Sequence, residues 1–379
     1  MTKVYRLCFV LIVLIPGCIE PINLDPPLEE QLLVVEGFIT DEFGPHEIRL
    51  SRLARFTGGP SRGGTIFPIF NAQVYITDDQ GERTDLTVRQ IVVKELARGG
   101  LGFPPIAIFR TPNDAYVTPE DFRAEPGRSY SLNVITDAGI QYVSSPQQVS
   151  PGPEIDSIFF RYKRLPSTDP ILFDSGMEVF SSWEDPVEER NFYSWRVNGT
   201  YFVETTDIPG RDPACFFDPN DGCCDKCFIE EKNIEENTLA FSDVLSNGSQ
   251  MFEKVGFIQD NGIRFANESV LPNMLYHVEI EQHSISQEAF SFYSIVRSQL
   301  QIGGDIFDPP PANIGGNMTR VDRPEEQVLG FFSANSVKRY DRFIERREID
   351  FIQPWPDVCG DCRIRSGATL ETPEPYLIQ

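Results

Sequence analysis

Eight cysteines stand in the 379-residue chain, and six of them fall into two groups. The run ACFFDPNDGCCDKCF, residues 214–228, places Cys215, Cys223, Cys224 and Cys227 within thirteen positions, and VCGDCR at 358–363 adds Cys359 and Cys362. The C-x2-C pairs Cys224/Cys227 and Cys359/Cys362 have the spacing that holds a tetrahedral zinc in a reducing compartment. They could also exchange disulfides, although neither opens a helix after a buried strand, as a thioredoxin-like site does. In an oxidising compartment the same thiols become structural bridges. Adjacent Cys223 and Cys224 are badly placed to join each other, because that geometry is strained.

Other residues with chemical potential are few. His277 and His283 lie six apart, so one continuous strand would turn both to the same face, as a metal pair or as surface or interface histidines. The third histidine, His46, stands alone. Asp218, Asn220 and Asp221 before Gly222 resemble the start of a calcium loop, but they are one residue short of the EF-hand spacing and lack its distant glutamate. G-x-S-x-G, H-E-x-x-H, a phosphate-binding G-x-x-x-x-G-K-[ST] and the paired-glycine dinucleotide fingerprint are all absent. No catalytic, cofactor-binding or metal-binding residue is therefore assigned, and the chain is expected not to be an enzyme.

The N-terminus sets the compartment. Lys3 and Arg6 precede the apolar run 7–15, which is too short to span a bilayer as a helix and reads as the core of an export signal. Leu14-Ile15-Pro16-Gly17-Cys18 follows and resembles a bacterial lipobox, with Pro16 as its one departure. Cleavage after Gly17 would leave Cys18 as an acylated first residue, and at about 0.8 kcal/mol per buried methylene three acyl chains make a permanent anchor. No other segment approaches eighteen apolar residues. Residues 19–31 carry three prolines and four carboxylates with no basic residue, the composition of an extended tether. With Cys8 lost with the leader and Cys18 lipidated, six thiols remain for an oxidising environment. Three disulfides are the economical reading, with at least one bridge from the first group to Cys359 or Cys362. Such a bridge would pin the C-terminal tail and place the two groups side by side.

The elements that must position these residues are mostly strands. From Leu32 short alternating apolar runs are broken by turn residues: LLVVEGFIT, HEIRLSR, NAQVYITD, LTVRQIVV, IAIFR, YSLNVITD and QYVSSPQQV. Ser150-Pro151-Gly152-Pro153 cannot sit in a ladder and marks a boundary. Beyond it IDSIFFRYK, MEVFSSWED, NFYSWRVNGTYFVETT and MLYHVEIEQHS read as further strands, with Asp185-Pro186 and Asn198-Gly199 as turns. One helix is predicted over 285–301, capped by Ser284 with Gln287, its buried face formed by Ala289, Phe292, Tyr293, Val296 and Leu300. Gly303-Gly304 ends it. The proline-rich loop after it leads into the strand FFSANSV. The fold class is thus mainly β. After a leader (1–17) and tether (18–31) comes an immunoglobulin-like or transthyretin-like β-sandwich (32–150), then a larger β-rich domain (151–379) with one main helix and the cysteine groups. The balance of 33 basic against 57 acidic residues, net charge −24, argues against nucleic acid as a partner and for a soluble, self-repelling surface.

Several longer stretches together resemble a family of Bacteroidota outer-membrane lipoproteins assigned to domain of unknown function 4249. They are CIEPINLD, LVVEGFITDEFGPHEIRLSR, AEPGRSYSLNVITDAGIQYVSS with its following PEIDSI, QIGGDIFDPPPANIGGN, VLGFFSANSVKR and the split cysteines. The resemblance covers nearly the whole mature chain. It implies an outer-membrane lipoprotein facing the cell surface, associated with a TonB-dependent receptor, and carries no catalytic residue with it. The expected function is an accessory or ligand-presenting partner of such a transporter, using loops such as 101–105 and 306–317. The alternative is an independent glycan- or protein-binding module using Trp183, Trp195 or Trp355.

Overall fold

A computed structural model of the chain describes residues 32–54, 65–89, 115–165, 174–187, 190–204, 226–232, 240–244, 246–259, 276–300, 314–345, 348, 362 and 367–377. The first half runs β1 (Leu32–Thr40), β2 (Glu47–Ala54), β3 (Thr65–Pro68), β4 (Gln73–Asp78), β5 (Arg83–Asp85), β6 (Thr87–Arg89), β7 (Ala115–Val117), β8 (Ser129–Ile135), β9 (Gln141–Ser144) and β10 (Gln147–Gln148). The second half runs β11 (Ser157–Leu165), β12 (Asp174–Glu184), β13 (Phe192–Glu204), β14 (Lys226–Lys232), β15 (Ala240–Ser242), β16 (Gln250–Gln259) and β17 (His277–Ser284). It continues through helix α1 (Gln287–Leu300), β18 (Met318–Arg320), β19 (Leu329–Phe343), β20 (Ala368–Thr369) and the short α2 (Glu374–Leu377). The protein is mainly β, as the alternating runs require.

These strands form three sheets. A large sheet has the order β20-β14-β13-β17-β19-β1-β2-β7-β6, with β3 added to β2 and β15 to β13. A second sheet, β18-β9-β8-β4-β5 with β10, covers the β1 and β2 end of the large sheet, and Val35, Ile48, Ile76, Leu132 and Phe332 fill the space between them. The third, β11-β12-β16, covers the β13 and β17 end over Met177, Val179, Trp183, Trp195 and Ile280. Alternation is the cause: in β8 every second residue, Tyr130, Leu132 and Val134, is buried. Each such side chain contributes about 1.5–3 kcal/mol on burial.

The two sandwiches share one sheet because β19 changes partner midway. Residues 329–335 pair in parallel with β1, and 336–343 pair antiparallel with β17. From Phe331 to Val337 β19 is buried on both faces, by the second sheet on one side and by α1 on the other. β18 likewise returns to pair with β9. The chain does cross between sandwiches at the proline-rich step, but residues after 314 come back to complete the first one, so 32–150 and 151–379 are not separable units in space.

Two local expectations are corrected. Asn198-Gly199 is no turn: both lie inside β13, where a β-carbon on Gly199 would sit 1.9 Å from the Tyr276 hydroxyl. The glycine there admits an aromatic ring against the backbone. The helix cap is Ser286, whose Oγ accepts the Ala289 N–H at 3.1 Å, because Ser284 is still in β17 opposite Ser336. Of the predicted buried face, Ala289 is fully buried, and Phe292 and Tyr293 pack on Phe331.

Candidate functional site

The outward face of the three-stranded sheet is built from residues that alternate with its core. Ile158, Phe160 and Tyr162 of β11 turn inward, so Phe159, Arg161 and Lys163 turn outward. Glu178 and Phe180 of β12 and Phe252 and Lys254 of β16 join them in register. Phe159 and Phe252 are 46% and 55% exposed, large values for phenylalanine. Phe252 lies 5.4 Å from Phe159 and is stacked on Phe180 at 5.2 Å between ring centroids. Arg161 covers the Phe180 ring at 4.8 Å.

Beneath this ridge Glu178 is buried and receives three cations, Arg161 at 2.6 Å, Lys163 at 3.1 Å and Lys254 at 3.8 Å. Burial works to raise its pKa, but hydrogen bonds from Arg161 and Lys163 outweigh it and hold the carboxyl below its usual range. Three positive charges over one carboxylate leave this face locally cationic on a chain of net charge −24. Exposed aromatics with arginine are the composition of a binding surface. The signal was present in the sequence: SIFFRYK is apolar or aromatic on one face of the strand and aromatic plus basic on the other.

A second polar concentration lies where β13, β17, β19 and β1 meet beneath α1. Arg339 is bound by Glu42 at 2.7 and 2.9 Å, Glu279 at 2.8 Å and Glu281 at 2.9 Å. His283 Nε2 lies 3.3 Å from Glu281, and its ring meets Phe38 edge-on at 5.2 Å. Burial alone would raise the pKa of Glu281, yet His283, Arg339 and Arg196 bring it down to about 2. Burial lowers that of His283 against the opposing pull of Glu281. In the first sandwich a cleft of about 290 Å³ is lined by Asp78, Glu82, Asp121, Glu125 and Arg128. There Arg128 is already engaged by Asp78 and Asp79.

The expected site residues distribute as follows. Cys227 of β14 and Cys362 are joined by a disulfide across 135 residues with Cα atoms 5.9 Å apart, both buried in the second core. This is a bridge of the anticipated kind between the two cysteine groups. It pins the tail beside β14, where β20 adds to the sheet and Tyr376 packs on Phe228 while donating its hydroxyl to the Thr200 carbonyl. Closing a loop of that length contributes about 4–5 kcal/mol. Cys18, Cys215, Cys223, Cys224, Cys359, Trp355, the calcium-like Asp218 to Gly222, loop 101–105 and most of loop 306–317 lie outside the described residues. His277 and His283 do share one face of β17 but stand about 20 Å apart along it. His277 Nε2 bonds Asp341 at 2.8 Å, so the two serve different carboxylates. Trp183 and Trp195 are 0% and 2% exposed core residues, which removes them as contact aromatics. Among the described residues no group of three or more histidine, cysteine or acidic side chains could hold a metal ion, and no helix is long and apolar enough to cross a membrane.

A family model, described as a domain of unknown function (DUF4249), matches residues 19–341. The chain belongs to this DUF4249 family. No curated protein and no solved structure matches it. The DUF4249 match runs from residue 19 through both sandwiches into β19, and so includes the strand on which the shared sheet depends.

Proposed function

We propose that this chain is a non-enzymatic outer-membrane surface lipoprotein, anchored through Cys18, that acts as an accessory or ligand-presenting partner of a TonB-dependent transporter. One observation carries the reading: the Phe159, Phe180 and Phe252 ridge, with Arg161, Lys163 and Lys254 around it, faces outward from a rigid double sandwich. A soluble surface gains nothing from exposing phenylalanines in contact, whereas a partner that covers them recovers their apolar area. The lipobox and the tether support the location, and the absence of catalytic motifs supports binding as the work done. The same ridge also suits the second reading, an independent glycan- or protein-binding module, in place of the buried Trp183 and Trp195.

Affinity purification of the detergent-solubilised lipoprotein separates the two. The expected result is a stoichiometric β-barrel receptor in the eluate. The double variant Phe159→Ala/Phe252→Ala should cut its recovery at least about tenfold with the melting temperature little changed, since contact aromatics carry most of an interface's energy. Native protein recovered alone would shift the reading to the independent module. A receptor retained in full by the double variant would place the docking surface elsewhere.

A further inference from the structure

At the junction beneath α1 one carboxylate is shared: Glu281 lies opposite Arg196 in register, yet its contacts go to Arg339 and His283. Arg339 is saturated by three glutamates, and Arg49 is paired with Glu47 at 3.0 Å. Arg196 of β13 makes no direct hydrogen bond or salt bridge among the described residues, and Glu281 acts on it only through space. Its guanidinium carbon lies 4.2 Å over the Phe38 ring, a contact that uses the face of the group and not its N–H donors. Half-burying a guanidinium without an acceptor is costly unless something supplies one.

The acceptor side is also incomplete at this spot. Among the described residues His283 Nδ1 and Asn335 Oδ1 are buried with no hydrogen-bond partner, and the buried Ser333 Oγ faces the Tyr293 hydroxyl. Register brings them together: His283 is opposite Val337, and Ser333 and Asn335 precede Val337 by four and two residues on the same face of β19. Phe38, which touches both Arg196 and His283, is opposite Ser333. In the neutral tautomer whose Nε2–H donates to Glu281, Nδ1 presents a lone pair. The place thus offers guanidinium donors without a direct acceptor among the described residues beside buried groups that accept hydrogen bonds.

We propose that this junction binds a small carboxylate bearing a hydroxyl or amino group, the carboxylate taken edge-on by Arg196 and the second group by His283 Nδ1, Ser333 and Asn335. The planar fork of arginine matches two carboxylate oxygens, and the buried acceptors match the donor hydrogens of the substituent. The inference is independent of the transporter reading, since it needs only the folded chain.

The test is isothermal calorimetry and thermal shift on the purified soluble chain with L-lactate, L-malate and L-aspartate at constant ionic strength. Acetate and chloride serve as controls. At least one of the three should bind saturably, acetate at least about tenfold more weakly, and chloride not at all. Arg196→Gln should abolish binding. Arg196→Lys, which keeps the charge and the stem and so guards against a folding defect, should weaken it about tenfold or more because a point charge cannot form the paired contact. The proposal is overturned if none of the three binds above chloride, or if Arg196→Lys binds as tightly as the native protein.

Discussion

Asp243 shows how a single residue can depart from what composition suggests. It is one of 57 acidic residues, yet it is fully buried, facing Asp185, which is also buried. Asp185 receives the Tyr193 hydroxyl at 2.7 Å and the Gly248 N–H at 3.1 Å, while Asp243 accepts the Asn191 N–H at 2.9 Å and lies against the Asp185 carboxyl. Burial, reinforced by the charge of Asp185, raises the pKa of Asp243. The folded chain therefore holds this proton more tightly than the unfolded one. The stabilisation is full below the unfolded value, about 3.9, and is lost as pH rises through the higher folded value. Asp243→Asn keeps the Asn191 contact and supplies an N–H toward Asp185. It should raise the melting temperature at pH 7–8 by about 3 °C, with the advantage vanishing toward pH 4. Melts across that range check it, and an equal shift at every pH would refute the shared-proton account. None of this was legible in the sequence, where the surplus of carboxylates hides a pair that the fold buries.

At the scale of elements, alternation was a sufficient guide wherever one strand face meets the core and the other meets water. LLVVEGFIT is β1 as read, and the hairpin from Tyr130 across DAGI is β8 and β9. Alternation does not single out β14 or β16: KCFIEEK continues directly from the cysteine group, and QMFEKVGFIQ carries apolar residues on both faces because its outer face belongs to the aromatic ridge. It also could not foresee that β19 would extend to fifteen residues and pair in parallel with β1, since partner choice depends on contacts some 300 residues apart. One residue makes that pairing possible. Gly330 has φ +82°, in the left-handed region, and a β-carbon there would sit 1.9 Å from the Val35 carbonyl oxygen. Gly330→Ala combines backbone strain with a clash against a backbone atom that cannot move alone, and should cost about 2–4 kcal/mol. Denaturant unfolding measures it; a loss below about 0.5 kcal/mol would mean that β1 and β19 separate there without consequence.

For the whole molecule, the question is whether the two sandwiches can stand apart. The proline-rich step after β10 invites a cut at residue 150, and sequence composition alone supports one. The shared sheet argues against it. A fragment of residues 32–150 would lose the seven-residue parallel ladder from β19 and the β18 partner of β9. It would also lose Phe332, Val328 and Met318 from the first core. Burying those three side chains is worth about 5–9 kcal/mol together, most of the 5–15 kcal/mol that a whole domain retains. The lost ladder would leave β1 as an exposed edge, prone to pair with another copy. The fragment is therefore expected to show no cooperative melt and a collapsed amide spectrum, whereas the full soluble chain should unfold with both sandwiches linked through β19. A dispersed amide spectrum and a sharp transition from 32–150 alone would show instead that β19 is an accessory strand, and that the first sandwich is complete without it.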